Sequence, residues 1–161
     1  MLRYDQIKIL LAEIPDEISL GISLAGCPRH CEGCHSSYLW DTDRNLSVRP
    51  ILDEQTLDDA IERFERAKIT CLLFLGGEWD LMALISLIRH VKQKYDLGIG
   101  LYSGANLEAL NGISELVSNL AYLKVGEYRK DLGGLTCRST NQRLYRIKNN
   151  SFQDITYKFW R

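Results

Sequence analysis

No stretch of this sequence offers the ~18 consecutive apolar residues that a membrane-spanning helix requires. Charged residues, 25% of the chain, are spread through it. There is no excess of one charge either, and a formal net charge of -1 gives no general attraction for nucleic acid. The opening Met1-Leu2-Arg3-Tyr4-Asp5-Gln6 lacks the basic start, apolar middle and small-residue cleavage site of a secretory leader. Internal repeats and low-complexity tracts are also missing. The five cysteines are too few and odd in number for a complete disulfide framework, which argues for a reducing compartment. These absences lead to the expectation of one cytoplasmic domain over residues 1–161, with neither a membrane nor a nucleic acid as partner. A chain of 161 residues is long enough to bury a sizeable core.

Three of the five cysteines fall in Gly26-Cys27-Pro28-Arg29-His30-Cys31-Glu32-Gly33-Cys34-His35. The spacing C-x3-C-x2-C, set among Gly and Pro, can wrap one corner of a 4Fe-4S cubane and ligate three of its four irons. The fourth iron is then open to a substrate, which points to a reactive cluster more than to an electron carrier. A structural zinc site competes on the same residues: Cys27, Cys31 and Cys34 with His35, or His30, would make a closed Cys3His set. That version of the protein is a zinc-stabilised interaction module without catalysis.

Around this segment the apolar pattern alternates between strand and helix. Glu17 to Leu24 has period two and predicts a strand that feeds into the cysteine loop. Tyr38 and Trp40 follow, able to shield a cluster or simply to pack, and Asp43 to Pro50 reads as an irregular connection. Leu57, Ala60, Ile61 and Phe64 predict a helix reaching about Ala67, capped by Asp53 or Thr56. Ile69 to Leu75 predicts a buried strand ending in Gly76-Gly77-Glu78, and Leu81 to Lys94 a second amphipathic helix. Gly98 to Gly104 is a third strand and turn; short helices are expected near Asn106–Leu110 and Ser114–Leu120. Ala121 to Gly126 is a fourth strand, and Ile155 to Phe159 alternates weakly.

Strands separated by helices imply parallel pairing with right-handed crossovers, an α/β fold whose chemistry lies at the carboxyl ends of its strands. About four such units are too few for a closed eight-stranded barrel, so an open, partial (β/α) barrel is expected. Its active edge gathers the cysteine loop, Gly76-Gly77-Glu78, Tyr102-Ser103-Gly104 and Gly126. The tail is basic: Arg138, Arg143, Arg146, Lys148, Lys158 and Arg161 face Asp154 alone, a solvated surface or a docking patch for an acidic partner.

Taken together, these motifs resemble the radical S-adenosylmethionine enzymes, and within them the anaerobic ribonucleoside-triphosphate reductase activating proteins. The likeness runs over residues 18 to 146, through Cys27, Cys31, Cys34 and His35, Trp40-Asp41, Gly76-Gly77-Glu78, Leu101 to Gly104, Gly133-Gly134-Leu135 and Ser139 to Arg143. It implies that Cys27, Cys31 and Cys34 hold a 4Fe-4S cluster whose open iron chelates S-adenosylmethionine. Reductive cleavage then yields a deoxyadenosyl radical that takes hydrogen from a glycine of the reductase, with a low-potential donor such as a flavodoxin supplying the electron. Related small radical enzymes, acting on another glycyl-radical protein or on a pterin-like molecule, share these features.

The resemblance also implies roles around the nucleotide. Gly76 and Gly77 lie along its methionine amino group with Glu78 adding a carboxylate, Ser103 meets the ribose, and His35 approaches a cluster sulfide or caps a turn. Gly33 departs from the superfamily's aromatic residue before the last cysteine, keeping a main-chain contact to adenine and losing side-chain cover. Lys124 reads as an exposed strand-end lysine, or as one meeting the ligand's carboxylate. Cys71 reads as a buried small apolar residue and Cys137 as a free thiol. Asn141, Gln142 and Arg143 read as a hydrogen-bonded turn supporting the site or its partner.

Overall fold

The computed structural model describes residues 1–160; Arg161, the last of the basic residues noted above, lies outside them. One sheet runs in chain order through β1 (Arg3–Leu10), β2 (Ser19–Ala25), β3 (Cys71–Leu75), β4 (Gly98–Tyr102), β5 (Tyr122–Val125), β6 (Arg143–Lys148) and β7 (Ser151–Asp154). Strands β2 to β5 are parallel. Antiparallel strands flank them, β1 on one side and the β6–β7 hairpin on the other. These three were not expected from the sequence. Among the described residues five α-helices accompany the sheet: α1 (Asp43–Ser47), α2 (Glu54–Arg63), α3 (Leu81–Lys94), α4 (Leu107–Asn111) and α5 (Ser114–Val117).

Several boundaries differ from the sequence reading for local reasons. The Asp43 to Pro50 connection contains α1, which starts because Thr42 accepts a hydrogen bond from Asn45 N. Helix α2 stops at Arg63 and not Ala67; a 3-10 turn follows and Lys68 takes a left-handed φ of 52°. Asp53, not Thr56, is its cap. Residues Thr156–Phe159 form a 3-10 turn instead of a weak strand.

The parallel strands have two unlike faces. Leu20, Ile22, Leu72, Phe74, Ile99 and Leu101 pack with the apolar stripes of α2 and α3 in the main core. Because the strand order never reverses, right-handed crossovers deliver their helices to this one face. On the opposite face Cys71, Leu73 and Tyr122 meet Ile14, Leu144 and Ile155 in a smaller core. That core fills only the amino-terminal end of the interior. Towards the carboxyl ends Ser23, Leu75, Tyr102 and Lys124 line open space.

The basic tail is tied to the protein's own groups. Arg143 pairs with Asp154 and Lys158 with Asp16, while Arg138 lies over the Trp160 ring and Arg146 over Tyr122.

Asp58 locks α2 to α3, accepting from Lys94 Nζ at 2.7 Å, Tyr95 Oη at 2.8 Å and His90 Nε2 at 2.9 Å. Burial pushes its pKa up, but the three donors outweigh burial and hold the carboxyl at about 2. A carboxyl depressed on folding stabilises the fold above its ordinary value of 3.8, and that stabilisation fades as pH falls towards about 2. Asp58→Asn should therefore lower Tm at neutral pH and converge with the wild type in acid. An equal Tm deficit at every pH would contradict this account of the lock.

Candidate metal centre

Strand β2 ends at Ala25, and Gly26 turns the chain with a φ of 104° into the cysteine segment. The segment is closed at its base: Leu39 O accepts from Gly26 N at 2.8 Å and Cys27 N at 3.0 Å, and Asp41 N donates to Cys27 O at 3.1 Å. Leu39 is the buried anchor, whereas Tyr38 is exposed. Of the two aromatics expected to shield a cluster or pack inside, only Trp40 lines the cavity, with His30 stacked on it at 4.6 Å and bonded to Asp41. Glycine at position 33 takes a φ of 73°, and the Lys130 side chain lies across it.

Cys27, Cys31 and Cys34 line one cavity of about 460 Å³ at the carboxyl ends of β2 to β5. His35, Gly76, Glu78 and Ser103 share it, so most of the side chains singled out in the sequence come together there. Gly33 and Gly77 do not line it. Gly76 and Gly77 both have positive φ and a packing reason: a Cβ on Gly76 would stand 2.6 Å from the Trp79 ring, and one on Gly77 2.6 Å from Leu24. Ser103 is buried and its Oγ accepts from Ala105 N at 2.9 Å, a turn that leaves the hydroxyl hydrogen unspent. Cys71 is fully buried in the small core, and Cys137 is exposed outside the cavity lining.

Lys124 is buried, not an exposed strand-end residue. Its ammonium donates to Gly126 O at 2.7 Å and to Ser103 O at 3.5 Å. Burial pulls its pKa down to about 8, which nearby Glu78 partly resists. Glu78 is its complement. The side chain is 8% exposed; Oε1 accepts from Gly104 N at 3.0 Å and faces Arg29 Nε at 3.5 Å, while buried Oε2 has no partner. An acceptor left bare inside a protein costs about 1–3 kcal/mol, a cost that a donor from water or from a ligand would remove.

Sequence reasoning missed Arg29, Trp79 and the burial of Lys124. The signals were present: a tryptophan directly after Gly-Gly-Glu, and a lysine inside the apolar run Tyr122-Leu123-Lys124-Val125. Gln142 also reaches the cavity, from the turn just before β6.

The three thiols line one cavity, with the spacing that a cubane accepts. A cubane takes thiolates at separate corners. Burial pushes the Cys27 thiol up, opposed by a hydrogen bond from the Arg29 backbone and reinforced by Glu78 and the other two cysteines. As a ligand it would bind as the thiolate, which the charge of a bound metal group would favour.

Cys27→Ser, Cys31→Ser and Cys34→Ser should each lose most of the iron and sulfide bound after anaerobic reconstitution, whereas Cys71→Ser and Cys137→Ser should keep it. Stoichiometric zinc in a colourless wild-type protein would contradict the cluster assignment. No curated protein and no solved structure matches the chain. A family model described as a 4Fe-4S single cluster domain matches residues 19–148, a span that contains the three cysteines and all the cavity-lining strand ends from β2 to β5. The chain belongs to this 4Fe-4S single cluster domain family, and the cofactor that membership implies is a 4Fe-4S cluster.

Proposed function

We propose that the protein is a radical S-adenosylmethionine activating enzyme that installs a glycyl radical on an anaerobic ribonucleoside-triphosphate reductase. The observation that carries this reading is the pair of opposite buried charges beside the three cysteines. Glu78 offers an unpartnered carboxylate oxygen, and Lys124 offers an ammonium held only by carbonyls. A ligand bearing both an ammonium and a carboxylate, such as the methionyl end of S-adenosylmethionine, satisfies each with its complement.

In this reading Cys27, Cys31 and Cys34 hold the cluster, and their spacing keeps its fourth iron available to the nucleotide. Glu78 takes the amino group and Lys124 the carboxylate. Ser103 gives its unspent hydroxyl hydrogen to the ribose and His35, from the same lining, would stand near the cluster, while the main chain at Gly33, outside the lining and under the Lys130 side chain, meets adenine only once Lys130 moves aside. Trp79, Trp40 and Leu39 give the cavity apolar walls that would limit water around the bound group. When bound, the cluster and nucleotide supply one-electron cleavage of a carbon-sulfur bond and removal of hydrogen from a glycine Cα, the electron coming from a low-potential donor such as a flavodoxin. Fixing the sulfonium beside its electron source makes that cleavage intramolecular.

A cavity of about 460 Å³ lies in the lower part of the range for one small ligand, which fits a second substrate that approaches from outside. We take the sheet, with its unreversed order and its interior packed only at one end, to be the open partial barrel that such a protein substrate needs.

The test is electron paramagnetic resonance on the anaerobically reduced protein. Adding S-adenosylmethionine should change the cluster signal, and adding the reductase should produce a glycyl doublet on it. A reducible cluster that ignores S-adenosylmethionine would refute the proposal. Glu78→Gln and Lys124→Met should each weaken nucleotide binding about 100-fold, the scale for removing one member of a buried charge pair. In the wild type, affinity should fall as pH rises through about 8, where Lys124 loses its proton; affinity independent of pH there would argue against Lys124 as the carboxylate partner.

A further inference from the structure

Gly126 is where three constraints meet. Its N–H donates to Ala105 O at 2.7 Å, and its φ of 97° turns its carbonyl back beneath the Lys124 ammonium. A Cβ there would stand 3.2 Å from both Asn141 O and Gln142 Cα, so only glycine lets the returning chain pass this close. The closeness follows from register: β5 and β6 pair Lys124 with Leu144 and Val125 with Arg143, and one further step sets Gln142 opposite Gly126.

Gln142 is 7% exposed, and its Nε2 donates at 3.3 Å to the same Gly126 carbonyl that accepts from Lys124. Its own backbone is pinned, since Gln142 N donates to Thr140 Oγ1 at 3.1 Å and Thr140 Oγ1 donates to Gly133 O at 3.1 Å. Asn141 fastens the neighbouring peptide by donating from Nδ2 to Glu127 O at 3.1 Å. A lysine has four rotatable bonds and would seek solvent from a buried strand end. Here the carbonyl that retains it also accepts from Gln142 Nε2, a buried side chain on a pinned backbone.

We propose that Gln142 is a positioning residue for Lys124, acting through the Gly126 carbonyl to keep the ammonium aimed into the cavity. Its importance to ligand binding rests on the reading above, in which Lys124 takes a carboxylate; its hold on Lys124 does not. The prediction is specific: removing the donor disturbs recognition of the carboxylate and leaves recognition of the nucleoside intact.

The experiment uses the full-length reconstituted protein with Gln142→Met, close in length but without the amide, and Gln142→Leu as a second variant should the first fold poorly. Two probes are titrated: S-adenosylhomocysteine, which carries the carboxylate, and 5'-methylthioadenosine, which does not. The variants should bind the first about tenfold more weakly, the scale of one misplaced charge-assisted hydrogen bond, and the second as the wild type does. Equal losses for both probes would overturn the proposal. Independently of any ligand, acylation of Lys124 by an amine-reactive ester, read by peptide mass spectrometry, should run roughly tenfold faster in the variants as the side chain swings outward. Unchanged acylation in a folded variant would overturn the proposal whatever the ligand. Faster acylation in a protein whose wild type binds neither probe would keep the positioning role and remove the S-adenosylmethionine reading instead.

Discussion

A carboxylate and an ammonium are buried in one cavity, and no ion pair joins them. Each buried charge costs several kcal/mol unless a partner offsets it. Were Glu78 and Lys124 there for stability, joining them would be the cheaper arrangement; instead Lys124 is held by carbonyls, Glu78 by Gly104 N and the Arg29 guanidinium through one oxygen, and both line the same space. The sheet makes this possible. Four parallel strands present their carboxyl ends along one edge, so the ends of β3 and β5, two strands apart, bring Glu78 and Lys124 to opposite sides of a site roofed by the cysteine segment from β2.

The walls of that site rest on small residues and one large one. Trp79 lies against both Gly26, where the chain leaves β2, and Gly76, where it leaves β3. One indole thus joins the cysteine segment to the loop carrying Glu78. Alanine at Gly76 would be strained twice, by a φ of 95° and by collision with the ring, and the ring's displacement would reach the cysteines. The antiparallel hairpin plays a comparable part on the other side, since the turn that starts β6 holds the end of β5.

The central strands could be read from sequence by two signals: β2 by its alternation of apolar with small or polar residues, although the structure buries it throughout, and β3 by the almost unbroken apolar run that burial on both faces leaves. The flanking strands could not be read the same way. Strand β1, Arg-Tyr-Asp-Gln-Ile-Lys-Ile-Leu, is half-exposed with an irregular register between Tyr4 and Gln6, and β6 carries three basic residues. A hairpin signal was nevertheless present at Asn149-Asn150, both at positive φ, as a two-residue turn requires. For the site, spacing revealed the cysteines and position revealed Glu78, because each belongs to a local motif. Lys124 was misjudged because lysines usually reach solvent, and Gln142 acquires its place only through a long-range register that sequence does not display.

The central claim is that the two buried charges and the open corner of the cluster embrace one amino acid end. An anaerobic crystal structure of the reconstituted protein with S-adenosylmethionine tests it most directly. The account predicts the amino group within hydrogen-bond reach of Glu78 Oε2, the carboxylate against Lys124, and one iron without a protein ligand. A fourth iron bound by Cys137 or His35, or a nucleotide lying away from both charges, would contradict it.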